Sequence, residues 1–358
     1  MTYHSFSPES ARLHAARPAL PGSVTLIHPQ QDAGTVLRVV GAMSFALAPR
    51  PPAAAIAALQ WADVVHAHGD SRLAQAALLL AAGSRKPAVL TLYGPELSRY
   101  RKTRWWTSTF ARAYHAATHV TFTSHGLLER AVERGLARRD VTVVYPPVAS
   151  AFGNLEERWR TAARTALNIR ARHLLVCVRA LDATGGHRIL LEALNEVVRT
   201  HPDTRLVLIG TGPELPGLKT AARAWGVEGH VTFAGRVDHD RVAQYDVAAD
   251  AFVLPSTVDG VPLAGIEALA SGCPVIISDT DGGRELHDLF GFDVSLVPRE
   301  NPQALAGAIV HALEEKRRVR AATSELIDTE HRSEAACAEY RDIYIQVLAR
   351  GATEGTGA

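Results

Sequence analysis

Cysteine is scarce in this chain of 358 residues, which has three, at Cys177, Cys273 and Cys337. They lie too far apart for the close spacing of a zinc site, and they do not form the pattern of a disulfide framework. The sequence therefore gives no sign of a cysteine-held metal or of disulfide bonding, and it favours a reducing compartment.

The chain also lacks an excess of charge and a long apolar run. Its 38 basic and 37 acidic residues leave a formal net charge of +1, so no basic field indicates binding to nucleic acid. No apolar stretch reaches the roughly 18 residues of a membrane span, and the first residues, MTYHSFSPESAR, contain no secretory apolar core. We expect a cytoplasmic protein, with a disordered tail at residues 351–358.

Short apolar, β-branched runs alternate along the chain with longer segments rich in Ala, Leu and Arg. This alternation is typical of stacked βαβ units, in which the strands form parallel sheets. In the first half the predicted strands are residues 24–28, 36–40, 64–68, 88–92, 119–123 and 141–145. In the second half they are residues 174–178, 205–209, 231–234, 251–254, 274–277 and 295–297.

The boundary between two domains is predicted just after Pro146 and Pro147, because consecutive prolines end a strand and force an extended exit. We assign residues 1–148 to a first doubly wound domain, the polar residues 149–170 to a connector, and residues 171–333 to a second such domain. A helix at residues 334–350 has an apolar stripe and is expected to pack back on the first domain. A ligand is then expected at the carboxyl ends of the strands.

The most informative run is residues 253–285, VLPSTVDGVPLAGIEALASGCPVIISDTDGGRE. It predicts a strand, an acidic loop, a helix, a second strand and a glycine loop. Asp259 precedes the helix and Glu267 lies eight residues later, within it. A helix N-terminus suits a diphosphate, and carboxylates accept hydrogen bonds from sugar hydroxyls. The plainer alternative is an ordinary βαβ crossover with a capped helix.

This run resembles the E-x7-E element of the group 1 (family 4) glycosyltransferases, with Asp259 in place of the first Glu. The resemblance extends over VCVRALDATGGHRILLEAL, RLVLIGTGPELPGL and VTFAGRVDHDRVAQYDVAADAFVLPS, in the order of that family's donor-binding domain. It implies a GT-B fold of two Rossmann-like domains, a nucleotide-sugar donor, retention of configuration and no metal cofactor. It also implies that Glu267 binds the ribose hydroxyls and that Asp259 is a catalytic residue. The other residues that it places around the donor are Gly185, Gly186, Gly212, Arg236, Val237, Gly260, Val261, Pro262 and Leu263.

The phosphate loop departs from the family pattern G-R-L-x-x-x-K-G. When Gly186 is set on the final glycine, Ala180 stands where the pattern has Arg, and Gly185 stands where it has Lys. Arg179, one position early, is the predicted replacement cation, whereas Arg188 is expected to be a solvated helix residue. A lysine restored at position 185 is expected to strengthen diphosphate binding, since fixed cations stabilise a leaving diphosphate.

The first half resembles the family's acceptor-binding domain through ADVVHAHG, KPAVLTLYGPE and HVTFTSHGLLERAV. Tyr93 stands where the family often has His, and with His68 it is a predicted catalytic residue near the reacting sugar. His66 is expected to be structural, and Ser124 is a predicted helix N-cap. The family's first strand and glycine loop are not legible before residue 24, so either Met1 is a downstream start or the domain is truncated.

Two short segments have alternative interpretations. Arg101, Lys102, Arg104, Trp105 and Trp106 suit peripheral contact with an anionic membrane or a lipid-linked diphosphate; the alternative is a solvated helix end with the tryptophans packed inward.

The second segment, residues 279–281, spells D-x-D, a metal-binding motif in a different glycosyltransferase fold. Here we interpret it as a turn.

The sequence therefore predicts a hexosyltransferase that acts from a UDP- or GDP-linked sugar on a glycan, lipid-linked or small-molecule acceptor. The degraded phosphate loop leaves a second hypothesis open, a homologue that binds a sugar nucleotide as a partner or regulator and transfers slowly or not at all. A third is another two-domain enzyme of this architecture, such as a sugar-nucleotide epimerase.

Overall fold

The computed structural model describes residues 24–27, 62–94, 96–97, 104–153, 157–258 and 262–355. These residues fall into two compact units. The C-terminal unit is Pro147–Arg332, and the N-terminal unit combines the described residues up to Pro146 with those from Ser333 onward. The predicted strand at 36–40 and the segment before residue 24 lie outside the described residues.

The N-terminal unit is built on a parallel sheet in the order β1-β2-β3-β4-β5. The strands are β1 (Val24–Ile27), β2 (Val64–His68), β3 (Ala88–Leu92), β4 (His119–Phe122) and β5 (Val141–Val143). The helices between them are α1 (Arg72–Gly83), α2 (Arg104–Ala116) and α3 (His125–Glu133). Strands β2, β3 and β4 are buried throughout, which is why they appear in the sequence as continuous apolar runs. The predicted N-cap of α3 is confirmed, since the Ser124 side chain accepts a hydrogen bond from the Leu127 amide.

The C-terminal unit contains a second parallel sheet, in the order β11-β10-β9-β6-β7-β8. Its strands are β6 (His173–Val178), β7 (Thr204–Ile209), β8 (Val231–Gly235), β9 (Ala251–Leu254), β10 (Val275–Ser278) and β11 (Val294–Val297). The chain runs outward from β6 through β7 to β8 and then returns to the other side of β6 as β9. The strand order therefore reverses between β6 and β9, and ligands of such sheets bind beyond the carboxyl ends of the strands at this switch point.

Eight helices of the C-terminal unit lie within the described residues. They are α4 (Glu157–Ala166), α5 (His187–Thr200), α6 (Leu215–Ala224), α7 (His239–Ala248), α8 (Leu263–Ala270), α9 (Asp281–Phe290), α10 (Pro302–Glu315) and α11 (Ala321–Glu330). The predicted strands within the described residues are present, and their ends differ from the prediction by no more than two residues.

The connector predicted at residues 149–170 is not a simple linker, because it contains α4. Arg160 of α4 pairs with Asp250 at 2.5 Å, and Ala163 and Leu167 enter the core of the C-terminal unit. The segment looks polar in the sequence because a single narrow stripe of this helix is apolar.

The last helix, α12 (Ser333–Gly355), belongs to the N-terminal unit. Its residues Ile343, Tyr344 and Val347 are buried against Val64 and Val89 of the sheet. The helix continues five residues beyond Arg350, into the segment that the sequence predicts to be disordered. Among the described residues, no helix has both the length and the apolar character of a membrane span.

Candidate active site

Two glycine turns bring the loops after β6, β7 and β9 together at the switch point. Gly186, at the N-cap of α5, has a φ of +67°, and a Cβ on it would lie 1.8 Å from the carbonyl oxygen of Pro255. A Cβ on Gly212 would lie 2.2 Å from the carbonyl oxygen of Leu181. Both distances are far below a van der Waals contact, so only glycine permits this approach. The result places the N-terminus of α5 directly beside the loop after β9.

Arg179 links the loop after β6 to the loop that leads into α8. Its Nη2 donates to the carbonyl oxygen of Val258 at 3.1 Å and lies 3.4 Å from Oγ1 of Thr184. Asp259, Gly260 and Val261 follow Val258 and lie outside the described residues. The guanidinium thus lies between the loops after β6 and β9, and its role as the replacement cation stays a prediction.

Arg188 lies on the solvent-exposed side of α5, as predicted from its position in the sequence. It pairs with Glu214 at 3.3 Å, and 59% of its side chain is exposed. It is a solvated helix residue.

The space beside Gly185 is filled by His187, the first residue of α5. A Cβ built on Gly185 would lie 2.2 Å from Cε1 of the His187 ring. A lysine at position 185 therefore requires the His187 ring to move, and its effect on diphosphate binding stays a prediction. His187 is 2% exposed, and burial, followed by the charge of Arg179, lowers its pKa to about 4.

Glu267 lies in α8 with 5% of its surface exposed. Its Oε1 accepts a hydrogen bond from Nε2 of His239, at the start of α7, at 2.8 Å. The His239 ring contacts the ring of Phe152, with centroids 4.8 Å apart. Within the described part of the chain, the second oxygen of Glu267 makes no hydrogen bond. One carboxylate oxygen is therefore anchored, and the other is the one that a sugar hydroxyl would use.

A second carboxyl group, Asp246, is buried next to Glu267. It lies on α7, seven residues after His239, and is 1% exposed. Neither of its oxygens has a hydrogen-bond partner among the described residues. Burial, with a contribution from the charge of Glu267, raises the pKa of Asp246 well above its ordinary value. Burial of Asp246 beside Glu267 therefore favours the protonated form of the Asp246 carboxyl.

The other described residues of the predicted donor site follow β8 and β9, on loops or at the start of α8. Pro262 is buried at the N-cap of α8, and its carbonyl oxygen accepts from the Gly265 amide at 2.8 Å. Leu263 and Val237 are partly buried against the core, while Arg236 is exposed after β8. Their contacts with a donor remain predictions.

The D-x-D segment forms the start of α9. Thr280 is the N-cap and accepts from the Gly283 amide at 3.0 Å. Arg284 pairs with Asp279 at 2.5 Å and with Asp281 at 2.7 Å. The predicted turn is thus the capped start of a helix, and one arginine binds both carboxylates. No group of His, Cys, Asp and Glu side chains suited to a metal ion occurs among the described residues. Independence from metal remains a prediction.

In the N-terminal unit, the two other predicted catalytic residues contact each other. Nδ1 of His68 lies 2.7 Å from the Tyr93 hydroxyl, at the carboxyl ends of β2 and β3. The ring of His66 stacks on that of His68, with centroids 4.1 Å apart, and is buried, as its predicted structural role requires. Lys102 and Arg101 lie outside the described residues, and the side chains of Arg104, Trp105 and Trp106 are likewise not described.

Glu96 is a further candidate that the sequence analysis did not single out. Its Oε2 accepts from the amides of Tyr93 at 3.1 Å and Gly94 at 2.6 Å. Burial raises the pKa of Glu96 to about 7, and the charge of Asp70 contributes. Its place after Gly94, in the segment that ends β3, is the signal that would have found it.

Two family models match the chain. Residues 172–315 match the model described as Glycosyl transferases group 1, and residues 3–152 match the model described as Glycosyltransferase Family 4. The chain belongs to the group 1 glycosyltransferases. The two models cover the two halves that the sequence analysis compared with the family's donor and acceptor domains.

Two curated relatives of this group 1 member are about 30% identical to it. A Bacillus subtilis protein named for teichuronic acid biosynthesis is 32% identical over 249 residues, which is 69% of this chain and 60% of that protein. The glycogen synthase of Mycobacterium tuberculosis is 30% identical over 277 residues, which is 74% of this chain and 64% of that protein. The chain thus spans less than two thirds of the length of these relatives.

Solved structures show the fold. HepE of Anabaena in complex with UDP is 19% identical, with a TM-score of 0.69 over 80% of this chain and 79% of its own. The sucrose-phosphate synthase of Thermosynechococcus elongatus is 22% identical, with a TM-score of 0.66 over 81% and 74%. At these identities the likeness establishes the architecture, two parallel-sheet α/β units of the GT-B class.

Proposed function

We propose that the protein transfers a hexose from a UDP- or GDP-linked sugar to a glycan, lipid-linked or small-molecule acceptor, with retention and without a metal. The observation that carries this proposal is the anchored carboxylate of Glu267 on α8, in the same unit as the glycine-lined start of α5. A carboxylate suits ribose hydroxyls, and a helix N-terminus suits a diphosphate. The complexes of HepE with UDP and with UDP-glucose support a nucleotide donor.

In the proposed reaction, the bond between the anomeric carbon and the diphosphate oxygen breaks, and a bond to the acceptor oxygen forms. The acceptor hydroxyl gives its proton to the departing diphosphate oxygen, and the nucleoside diphosphate leaves. Arg179 and the dipole of α5 stabilise the negative charge that develops on the leaving group. Asp259 is assigned to the sugar on the resemblance alone. In the N-terminal unit, Tyr93 and His68 are assigned to hydrogen bonds with sugar oxygens.

Binding of the donor tests this proposal through Glu267. Glu267→Ala is expected to weaken UDP-sugar or GDP-sugar binding by about 1.5–3 kcal/mol, the size of a hydrogen bond to a charged group. Isothermal titration calorimetry measures this loss. The matched control is Glu196→Ala, an exposed glutamate on α5, which should bind the donor as the parent does.

The parent protein is then incubated with each bound donor and a panel of acceptors, and released nucleotide is measured. Release that depends on an acceptor supports the transferase. Binding without release supports the second hypothesis, a homologue that binds donor as a partner or regulator. Equal donor affinity of the parent and Glu267→Ala would show that the site is wrongly assigned.

A further inference from the structure

The first residue of α5 is a buried histidine that has no hydrogen-bond partner among the described residues. His187 is 2% exposed, and neither Nδ1 nor Nε2 is hydrogen-bonded within the part of the chain that the structure describes. A buried polar group without a partner costs free energy, so such groups in proteins are normally paired with protein, water or ligand. The unsatisfied ring of His187 therefore points to a binding partner.

The ring is directed at the phosphate loop and away from the body of the helix. It lies against Gly185, since a Cβ on that residue would be 2.5 Å from Nδ1. Side chains in the first turn of a helix point back towards its N-terminus, which accounts for this direction. The loop is held in shape by Asp182, whose Oδ1 accepts from both the amide and the hydroxyl of Thr184 at 2.9 and 2.7 Å.

Three features around the His187 ring favour the binding of an anion. The 14-residue helix α5 begins here without a side-chain cap, so the positive end of its dipole is directed at the loop. The guanidinium of Arg179 is close enough to lower the pKa of His187. Two neighbouring carboxylates are already engaged, Asp182 with Thr184 and Glu214 with Arg188. The imidazole, neutral with a pKa of about 4, keeps one N–H that it can donate.

We propose that His187 is a donor-binding residue whose ring N–H donates a hydrogen bond to a diphosphate oxygen of the nucleotide sugar at the start of α5. This inference rests on the proposed function and adds to it the residue that, with Arg179, recognises the diphosphate. It also explains how a loop with Ala180 and Gly185 at the family's two cationic positions binds a diphosphate.

The test compares ligands with and without the diphosphate on the full chain. Titration calorimetry with UDP, GDP, uridine, guanosine and inorganic pyrophosphate is carried out on the parent, His187→Ala and His187→Gln. His187→Ala should lose about tenfold or more in affinity for the nucleoside diphosphate that the parent binds, while its affinity for the nucleoside is unchanged. His187→Gln, which retains an N–H donor, should lose less. His201→Ala, at the other end of α5, is the matched control and should lose nothing.

Unchanged diphosphate affinity in His187→Ala would overturn the inference. If that variant does not fold, a long-range ¹H–¹⁵N spectrum of the parent replaces it, with the His187 signals identified by their absence from the spectrum of His187→Gln. Pyrophosphate should shift them, and unshifted signals would overturn the inference. Pyrophosphate binding that depends on His187, without binding of any nucleotide, supports the inference and contradicts the proposed function. Nucleotide binding that depends on Glu267 and not on His187 supports the proposed function and contradicts the inference.

Discussion

Asp246 shows how a single residue is expected to link pH to stability. Because its pKa is raised in the folded state, the folded protein holds a proton that the unfolded chain releases above about pH 4. Stability associated with this proton is present at low pH and is lost as the pH rises towards the raised pKa. Asp246→Asn removes the titrating group and keeps the shape of the side chain.

We therefore expect Asp246→Asn to gain free energy of unfolding relative to the parent as the pH rises from about 5 to about 8. Urea unfolding at several pH values measures the difference. Asp240→Asn, an exposed aspartate on the same helix, is the control and should show no such trend. A constant difference across the pH range would mean that Asp246 does not titrate as its burial predicts.

The sequence identifies the candidate residues that a local pattern marks, and misses those that depend on tertiary contacts. Glu267 follows from motif spacing, and Arg179 from its place one position before the motif's Arg. In the structure Glu267 bonds His239, and Arg179 bonds the loop that leads into α8. His239 and Asp246 do not, because their relevance comes from the packing of α7 against α8, which no short-range pattern encodes. His187 is visible as a histidine after two glycines, but its burial and lack of partners are properties of the folded loop.

At the scale of elements, the start of α9 predicts how the protein responds to a chelator. Arg284 already pairs with the carboxylates of Asp279 and Asp281, and its positive charge weakens their attraction for a divalent cation. EDTA is therefore expected to leave donor binding and turnover unchanged. The control is the same assay with added Mg²⁺ or Mn²⁺. Loss with EDTA that either ion restores would contradict the interpretation of this segment as a turn.

The helix α12 is joined to the sheet of the N-terminal unit by a buried polar network. Nδ1 of His66 lies 2.7 Å from the Tyr344 hydroxyl, and Nε2 lies 2.7 Å from Oγ1 of Thr91. Burial, with a contribution from His68, lowers the pKa of His66, so its neutral ring depends on both partners. Removing one hydroxyl leaves a buried nitrogen unpaired.

Tyr344→Phe is accordingly expected to destabilise the protein by about 1–3 kcal/mol, measured by urea unfolding. Tyr340→Phe is the control, since its hydroxyl lies farther from its partners, 3.2 Å from Thr91 and 3.5 Å from Thr121. Its loss should be smaller. Equal losses for the two variants would show that the hydrogen bond to His66 contributes little.

The elements themselves could be predicted to different degrees. The strands of both sheets are legible because buried parallel strands are continuous apolar, β-branched runs. The helix α4 was missed because its charged residues, such as Arg160, form ion pairs at the edge of the core and make the segment resemble a linker. The composition of such a helix is dominated by its wide exposed face and gives little indication of its narrow buried face.

At the scale of the whole molecule, the C-terminal unit is continuous in sequence, whereas the N-terminal unit needs both ends of the chain. A fragment of residues 147–332 is therefore expected to fold alone and to melt cooperatively, as judged by circular dichroism. A fragment of residues 1–146 is the comparison. It lacks α12 and should not melt cooperatively, because Val64 and Val89 lose their buried contacts with that helix. Cooperative melting of the shorter fragment would show that α12 is dispensable.

The return of the chain to its first unit also fixes an order of events during synthesis. The entry and exit of the C-terminal unit lie side by side, where the Val148 amide donates to the His331 carbonyl oxygen at 2.7 Å. A ribosome that has finished residue 146 must add the whole of Pro147–Arg332, 332 − 146 = 186 residues, before it begins α12. This takes roughly 10–40 s at bacterial rates. During that interval the C-terminal unit can fold completely, while the apolar face of the N-terminal sheet that α12 covers stays exposed to solvent. The half of the protein that is made first is thus the half that is finished last.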